Sequence, residues 1–513
     1  MVFIRAPGLR KAALVPLLLA CLTSALPQNS IVNELVDAFS KIFELPAATP
    51  SPTSTSNSTA GNATQVGAAS VDPSQPTPTV NCTDTNTTQA AIATATPAQA
   101  VAVTPGNMVF AHHIVGNTYN YTLASWTTDI MLAAAKGVDA FALNVGADSW
   151  EPGQVANAYQ AARSLNTPFK LFLSFDMSTI PCTTAANSAL LRSYVTNYTS
   201  HPNQLKYNNA SFVSTFAGEG CKFGASTVNQ GWINTLKTNL TPTYFVPSFF
   251  VDPATFSSQY SVQDGAFNWN SGWPMGNYDI NFSSDQLYIN NLASKTYMGA
   301  VSPWFFTHYG PQSYNKNFIY RGDNWLFAER WEALIANRTK VQFAEVISWN
   351  DYGESHYIGP VQGVQPMSQS WVNGFDHQGW LDLMQYYITA YKTGAYPAVA
   401  RDRTFLWGRL YPVNATSPDP VAKPTNYLWT QDFVWGVVLL SSPATVQLNC
   451  GAQATRAMLP AGLSKISLYL TAACTVNTTI TRGANTTTFA PSNYKFSLNP
   501  PSYNFNALVV ASP

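Results

Sequence analysis

The sequence predicts an α/β chain: a (β/α)8 TIM-like barrel followed by a C-terminal β-sandwich. Three observations carry that expectation. Short apolar runs alternate with helix-period segments between residues 108 and 349, and eight such runs can be counted. The runs favour β-branched and aromatic residues, and several end at an acidic or polar residue. Past about residue 404 the helical period disappears, replaced by short strand-like stretches between polar turns.

In chain order, strands are expected at 108–112, 138–144, 169–175, 211–216, 244–251, 264–267, 297–301 and 341–349. The sixth is the faintest. Helices are expected at 126–136, 155–165, 188–195, 230–239, 285–295 and 324–336. Strands separated by helices run parallel, and eight repeats over roughly 250 residues suit a closed barrel better than an open sheet. Five further strands are expected at 437–442, 445–449, 465–470, 478–481 and 496–498.

Ahead of the barrel, Arg5, Arg10 and Lys11 precede an apolar run at 12–22, and Thr23-Ser24-Ala25 supplies small residues for cleavage. The run is too short to span a bilayer. Residues 1–25 are therefore expected to be a signal peptide, and the protein to be secreted, extracellular or in a cell wall. An amphipathic helix is expected at 31–39. It lies within a low-complexity linker, 26–105, that becomes rich in Ser, Thr, Ala and Pro and cannot bury enough apolar surface to offset chain entropy. The barrel is assigned to 106–410 and the sandwich to 411–513.

At 513 residues the chain has room for two or three domains. Lys+Arg and Asp+Glu number 26 each and only 10% of residues are charged, which leaves no electrostatic footprint for nucleic acid or an anionic membrane. Aromatic residues make up 13%, a balance suited to sugar binding although core packing uses the same rings. Cys21 leaves with the signal. Cys182–Cys221 and Cys450–Cys474 are the natural disulfides, each within one domain, with Cys82 left over. No cysteine has metal-ligand spacing, no cofactor is expected, and the chain is expected to be a monomer. Frequent Asn-x-Ser/Thr sequons, among them Asn120, Asn197 and Asn485, agree with export.

The chemistry is expected in VQFAEVISWNDYGESHYIGP, residues 341–360. An apolar strand runs there into two carboxylates, a histidine and two tyrosines. Active sites of (β/α)8 enzymes sit in the loops after the strands. That rule collects His112, His113, Asp176, Glu219, Asp252, Asp351 and Glu354 at one mouth. Buried carboxylates are costly unless paired or functional, and Asp176, Asp351 and Glu354 are the strongest candidates for acid/base work. The others have plainer readings beside them: Asp252, before Pro253, as a turn cap, His112 as a core histidine, and Glu345 as an inward structural acid. Trp273, Trp304, Trp349, Tyr352 and His356, with His112 and Asp252, are candidates for sugar stacking or hydroxyl contacts.

Four motifs in order, NMVFAHHIVGNTYNYT, GVDAFALNVG, FKLFLSFDMS and EVISWNDYGESHYIGP, closely resemble the fungal α-1,3-glucanases, or mutanases, of glycoside hydrolase family 71. The resemblance implies a barrel followed by a β-sandwich, and hydrolysis of α-1,3-glucan polysaccharide or oligosaccharides with inversion. It carries the acid of the SFD motif to Asp176 and the two acids of WNDYGE to Asp351 and Glu354. His113 stands where an aromatic or aliphatic residue would be expected and is predicted to alter a subsite. Two rival readings stay open: a catalytically inactive glucan-binding wall glycoprotein, and a glycosidase for another glucan linkage. Acid and base are not assigned between the carboxylates.

Overall fold

The computed structural model describes residues 106–513; the expected signal peptide, the 31–39 helix, the linker and Cys82 lie outside the described residues. Parallel strands covered on both faces read as continuous apolar runs, and this chain supplies them. They are β1 (Met108–Ile114), β2 (Ala140–Val145), β3 (Lys170–Asp176), β4 (Lys206–Tyr207), β5 (Ala210–Phe216), β6 (Thr243–Ser248), β7 (Gly265–Asn268) and β8 (Thr296–Val301). A hairpin, β9 (Phe306–His308) and β10 (Asn317–Ile319), follows before β11 (Phe343–Val346).

The main sheet has nine strands. Short β4 pairs antiparallel with β5, and the rest run parallel in the order β6–β5–β3–β2–β1–β11–β8–β7. The result is a mixed α/β fold with a curled parallel sheet. No ladder joins β6 to β7 among the described residues. Instead Asp264, just before β7, donates its N–H to the Phe245 carbonyl and accepts the Phe245 N–H on its carboxylate, each at 2.7 Å. On the inner face, Phe110, Phe172, Phe212 and Phe343 pack with ring centroids 4.8 to 5.5 Å apart. They fill the interior below the strand C-termini.

The longer crossover helices are α1 (Leu123–Ala135), α2 (Glu151–Leu165), α3 (Ser188–Tyr198), α4 (Ser283–Asn291) and α5 (Leu326–Ala336). Helix α1 starts at a capping box of Thr122 and Ser125. Helix α2 starts four residues before the expected 155, because Pro152 sits in the first turn where its missing N–H has no intrahelical partner to lose. The faint sixth strand forms as β7. The last parallel strand is shorter than the expected 341–349, ending at Val346.

Helix α6 (Gln378–Thr393) falls where the alternation places nothing. Its Trp380, Leu381, Met384, Tyr387, Ile388 and Tyr391 are buried at helical spacing, and Gly394 ends it in the left-handed conformation, φ +85°. Among the described residues no helix is long and apolar enough to cross a membrane.

The C-terminal strands are β12 (Arg403–Gly408), β13 (Phe433–Leu440), β14 (Ala444–Cys450), β15 (Gln453–Leu459), β16 (Gly462–Tyr469), β17 (Cys474–Arg482), β18 (Asn485–Phe489), β19 (Lys495–Phe496) and β20 (Leu508–Ala511). They form two antiparallel sheets, β16–β13–β12–β20 and β15–β14–β17–β18 with β19 on β17. One apolar cluster draws Val434, Val438 and Leu468 from the first and Val446, Leu448 and Val476 from the second. Indole N–H groups fasten these sheets to the α/β part: Trp435 donates to Asp323 at 2.8 Å and Trp407 to the Asn324 carbonyl at 2.9 Å.

Both expected disulfides form. Cys450–Cys474 links β14 to β17, and Cys182–Cys221 ties the loops after β3 and β5. Replacing Cys182 and Cys221 together by Ser is expected to lower unfolding stability by about 2–4 kcal/mol, since the longer open chain gains entropy when unfolded. Chemical denaturation of the double variant measures it. An unchanged midpoint would mean that the backbone bonds beside the bridge, Phe223 N–H to Cys182 O at 2.8 Å and Gly224 N–H to Thr183 O at 3.0 Å, already hold the loops.

Candidate active site

After Val346 the chain leaves the sheet and folds back on itself. The Ser348 N–H donates to the His356 carbonyl at 2.9 Å, and the Gly359 N–H to the Trp349 carbonyl at 2.9 Å. Asn350 fastens the turn to the end of β1: its side chain accepts the Ile114 N–H at 2.7 Å and donates to the Ile114 carbonyl at 3.0 Å. A side chain at residue 353 would crowd the turn, because a Cβ there would lie 2.5 Å from the Tyr309 hydroxyl, which donates to the Pro366 carbonyl at 2.6 Å. The turn therefore presents Asp351 and Glu354 in a fixed relation, with the Glu354 N–H donating to Asp351 Oδ1 at 3.0 Å.

His356 lies beneath them, fully buried. Its Nε2 is 3.1 Å from Glu354 Oε2 and 3.9 Å from Asp351 Oδ2, while Nδ1 meets the Ser348 hydroxyl at 3.0 Å. That hydroxyl also accepts the Asp351 N–H at 2.7 Å. Lys316, from the turn of the β9–β10 hairpin, brings its ammonium to 3.7 Å from Glu354 Oε1. The two carboxylates, 23% and 26% exposed, open to the mouth.

Their environments push the two acids apart. Burial, and then the charge of Glu354, raise the Asp351 carboxyl above the usual range. Burial works the same way on Glu354, but the His356 hydrogen bond and the Lys316 charge outweigh it and hold the carboxylate below its ordinary value. Neighbouring acids whose surroundings push their proton affinities apart suit the separate roles of donor and anion. Asp176 closes β3, which β2 and β1 separate from β11. Burial raises it, opposed by the N–H and hydroxyl of Ser178 on its Oδ1 and by the charges of His112 and Lys316. Lys316 thus acts on all three acids.

Asp351, Glu354 and His356 also place one ligand atom each within 4.8 Å of one another, the donor set a cation would need. In this arrangement they bond to one another and to Lys316.

Rings surround the cluster. Trp273, Phe305 and Tyr320 pack on one another and, for the first two, against His356, at 4.6 to 5.9 Å. Trp269, partly exposed, stands edge-on to His112 and Phe216, 4.9 Å from each.

Several expected sugar contacts lie elsewhere. Trp304 is fully buried and donates its indole N–H to the Phe505 carbonyl at 3.0 Å, packing the C-terminal sheets onto the fold. Trp349 is fully buried against Phe141. Tyr352 is fully buried, its hydroxyl donating to the Gln362 carbonyl at 2.5 Å and holding the acidic turn from behind. None of the three offers a ring face to a sugar. Asp252 is the turn cap, accepting the Ala254 N–H at 3.0 Å. His113 points away from the mouth, buried against Trp126 and 3.1 Å from Asp129, so it lines no subsite. Lys316 and Trp269 escape the sequence reading. Trp269 follows a strand end and could have been found by that rule, but nothing marks the hairpin that carries Lys316.

Acids gathered at the C-terminal ends of a curled parallel sheet, one raised beside one held low, suit a glycoside hydrolase. Residues 106–513 match the Glycosyl hydrolase family 71, and the chain belongs to that family. It is 42% identical over 354 residues to a glucan endo-1,3-alpha-glucosidase of Schizosaccharomyces pombe, covering 67% of this chain and 80% of that one. It is 36% identical over 368 residues to a mutanase of Penicillium rubens, covering 69% and 78%. An ascus wall endo-1,3-alpha-glucanase of Schizosaccharomyces pombe is 33% identical over 366 residues, covering 67% and 81%.

Proposed function

We propose that this enzyme hydrolyses α-1,3-glucosidic bonds in α-1,3-glucan by single displacement, with Asp351 as general acid and Asp176 as general base. The observation that carries the assignment is the unequal pair: His356 at 3.1 Å and Lys316 at 3.7 Å hold the Glu354 carboxyl low, while burial and the charge of Glu354 raise that of Asp351. Asp351 gives that proton to the glycosidic oxygen as the bond to C1 breaks. Asp176, which accepts two hydrogen bonds from Ser178, takes a proton from water as the water oxygen attacks C1 from the other face. Each acid ends in the other's protonation state, and exchange with solvent resets both. Names of relatives at 33–42% identity support the linkage.

The catalytic body fits a (β/α)8 barrel closing at β6 and β7, which are consecutive in the chain and bridged by Asp264. The two antiparallel sheets fit a β-sandwich that takes in β12 and so reaches back to Arg403. Secretion after cleavage near residue 25 agrees with the two disulfides, and the enzyme acts as a monomer on extracellular or wall glucan.

The test offers insoluble α-1,3-glucan, β-1,3-glucan, α-1,4-glucan and dextran in parallel, following reducing sugar and the first-formed anomer by NMR. Release from α-1,3-glucan alone, with the β anomer first, is expected. Comparable turnover on another glucan would sink the linkage, the α anomer would sink single displacement, and binding without release would leave only a lectin.

A further inference from the structure

Below the acids lies a buried pair with no part in the displacement. Glu345 projects from β11 and His112 from β1, 0% and 1% exposed, with His112 Nδ1 2.7 Å from Glu345 Oε1. The other carboxylate oxygen and the ring Nε2 are buried with no partner in the protein. Each such atom costs on the order of 1–3 kcal/mol, so stability alone does not account for the pair.

Its placement does. The bond to Glu345 on Nδ1 leaves Nε2 on the opposite edge of the ring, and Trp269 closes over that ring edge-on. The His112 carbonyl accepts the Trp349 N–H at 2.8 Å, which ties this point of β1 to the turn carrying Asp351. Asp176 stands on β3, with only β2 between. Besides His112, the charged groups acting on Asp176 are Lys316 from the hairpin and Glu151 from α2.

We propose that Glu345 and His112 are positioning residues for Asp176: Glu345 fixes the imidazole by Nδ1, and the imidazole favours the carboxylate that must accept the proton of the attacking water. The inference rests on the reading of Asp176 as general base. Glu345 fixes His112 much as a carboxylate fixes the histidine of a hydrolase triad, without touching substrate. Removing His112, or the carboxylate that orients it, removes the pull of the imidazole that opposes burial at Asp176. Asp176 then loses its proton only at higher pH.

The experiment is the pH dependence of kcat/KM for His112→Gln, Glu345→Gln, the double variant and Asp176→Asn. The acidic limb of each single variant is expected to move up by roughly 0.5–1 pH unit, with activity recovering on the alkaline side of that limb. The double variant should shift no further than His112→Gln. Asp176→Asn should be inactive at every pH. An unmoved limb with Asp176→Asn inactive overturns the pair's role and leaves the base in place; so does an equal loss at every pH, which marks plain structural support. Wild-type turnover by Asp176→Asn overturns the base and this inference with it. Glu345→Gln is nearly isosteric, so its limb decides the matter even where His112→Gln does not fold.

Discussion

Asp351→Asn is expected to lower kcat on α-1,3-glucan by about 10³-fold while leaving the fold intact. The amide keeps the shape and the acceptor for the Glu354 N–H, at 3.0 Å in the native enzyme, but has no proton to give the leaving oxygen. A loss of that size is about 4 kcal/mol of transition-state stabilisation. KM should change little, because the proton moves only as the bond breaks. Stability should move the other way. The Asp351 carboxyl is raised in the folded state, so above its folded pKa the ionised form counts against folding, and that penalty fades as pH falls through the raised value. The variant, which carries no charge there, should melt at or above the wild-type temperature near neutral pH. Reducing-sugar assays with thermal melts at two pH values check both halves. Wild-type turnover would pass the donor role to another acid, and a lower melting temperature near neutral pH would show that the carboxylate is held by something other than its present surroundings.

The placement of the acids was legible in the sequence because two local rules meet at them. A strand reads as an apolar run, and chemistry follows its end; Asp176 and the 350–356 turn satisfy both. The rings misled for a physical reason. Trp304, Trp349 and Tyr352 are as aromatic as any platform, but they serve as bolts between layers, and burial depends on partners far away in the chain such as Phe505 and Phe141. His112 and His113 are adjacent and face opposite sides of β1, so their identities alone could not say which would look toward the acids. Lys316 shows a different limit. It reaches Glu354 from a hairpin inserted after β8, and only the tertiary fold brings that insertion over the mouth. Helix α6 had a clear 3.6-residue signal and lay simply beyond the last repeat that closing the strand count required.

Glu354→Gln should fail in a different manner from Asp351→Asn. Glu354 is the ionised partner whose charge, after burial, raises Asp351. Removing that charge lowers the proton affinity of Asp351, so the donor is lost at a lower pH than in the wild type. The alkaline limb of kcat should move toward acid, with a loss of about 10²-fold or more near neutral pH that shrinks as pH falls. The same substitution leaves His356 and Lys316, 3.1 and 3.7 Å away, without their anion. Since Glu354 is held below its ordinary pKa, its contribution to stability is present above the unfolded value and lost as pH falls through the folded one. The gap in melting temperature between wild type and Glu354→Gln should therefore close on acidification. A kcat lowered equally at every pH, with the limb unmoved, would contradict this account and place Glu354 in direct contact with the reacting sugar. A limb that moves while the melting gap closes would tie proton retention on Asp351 and the anchoring of the turn to one carboxylate.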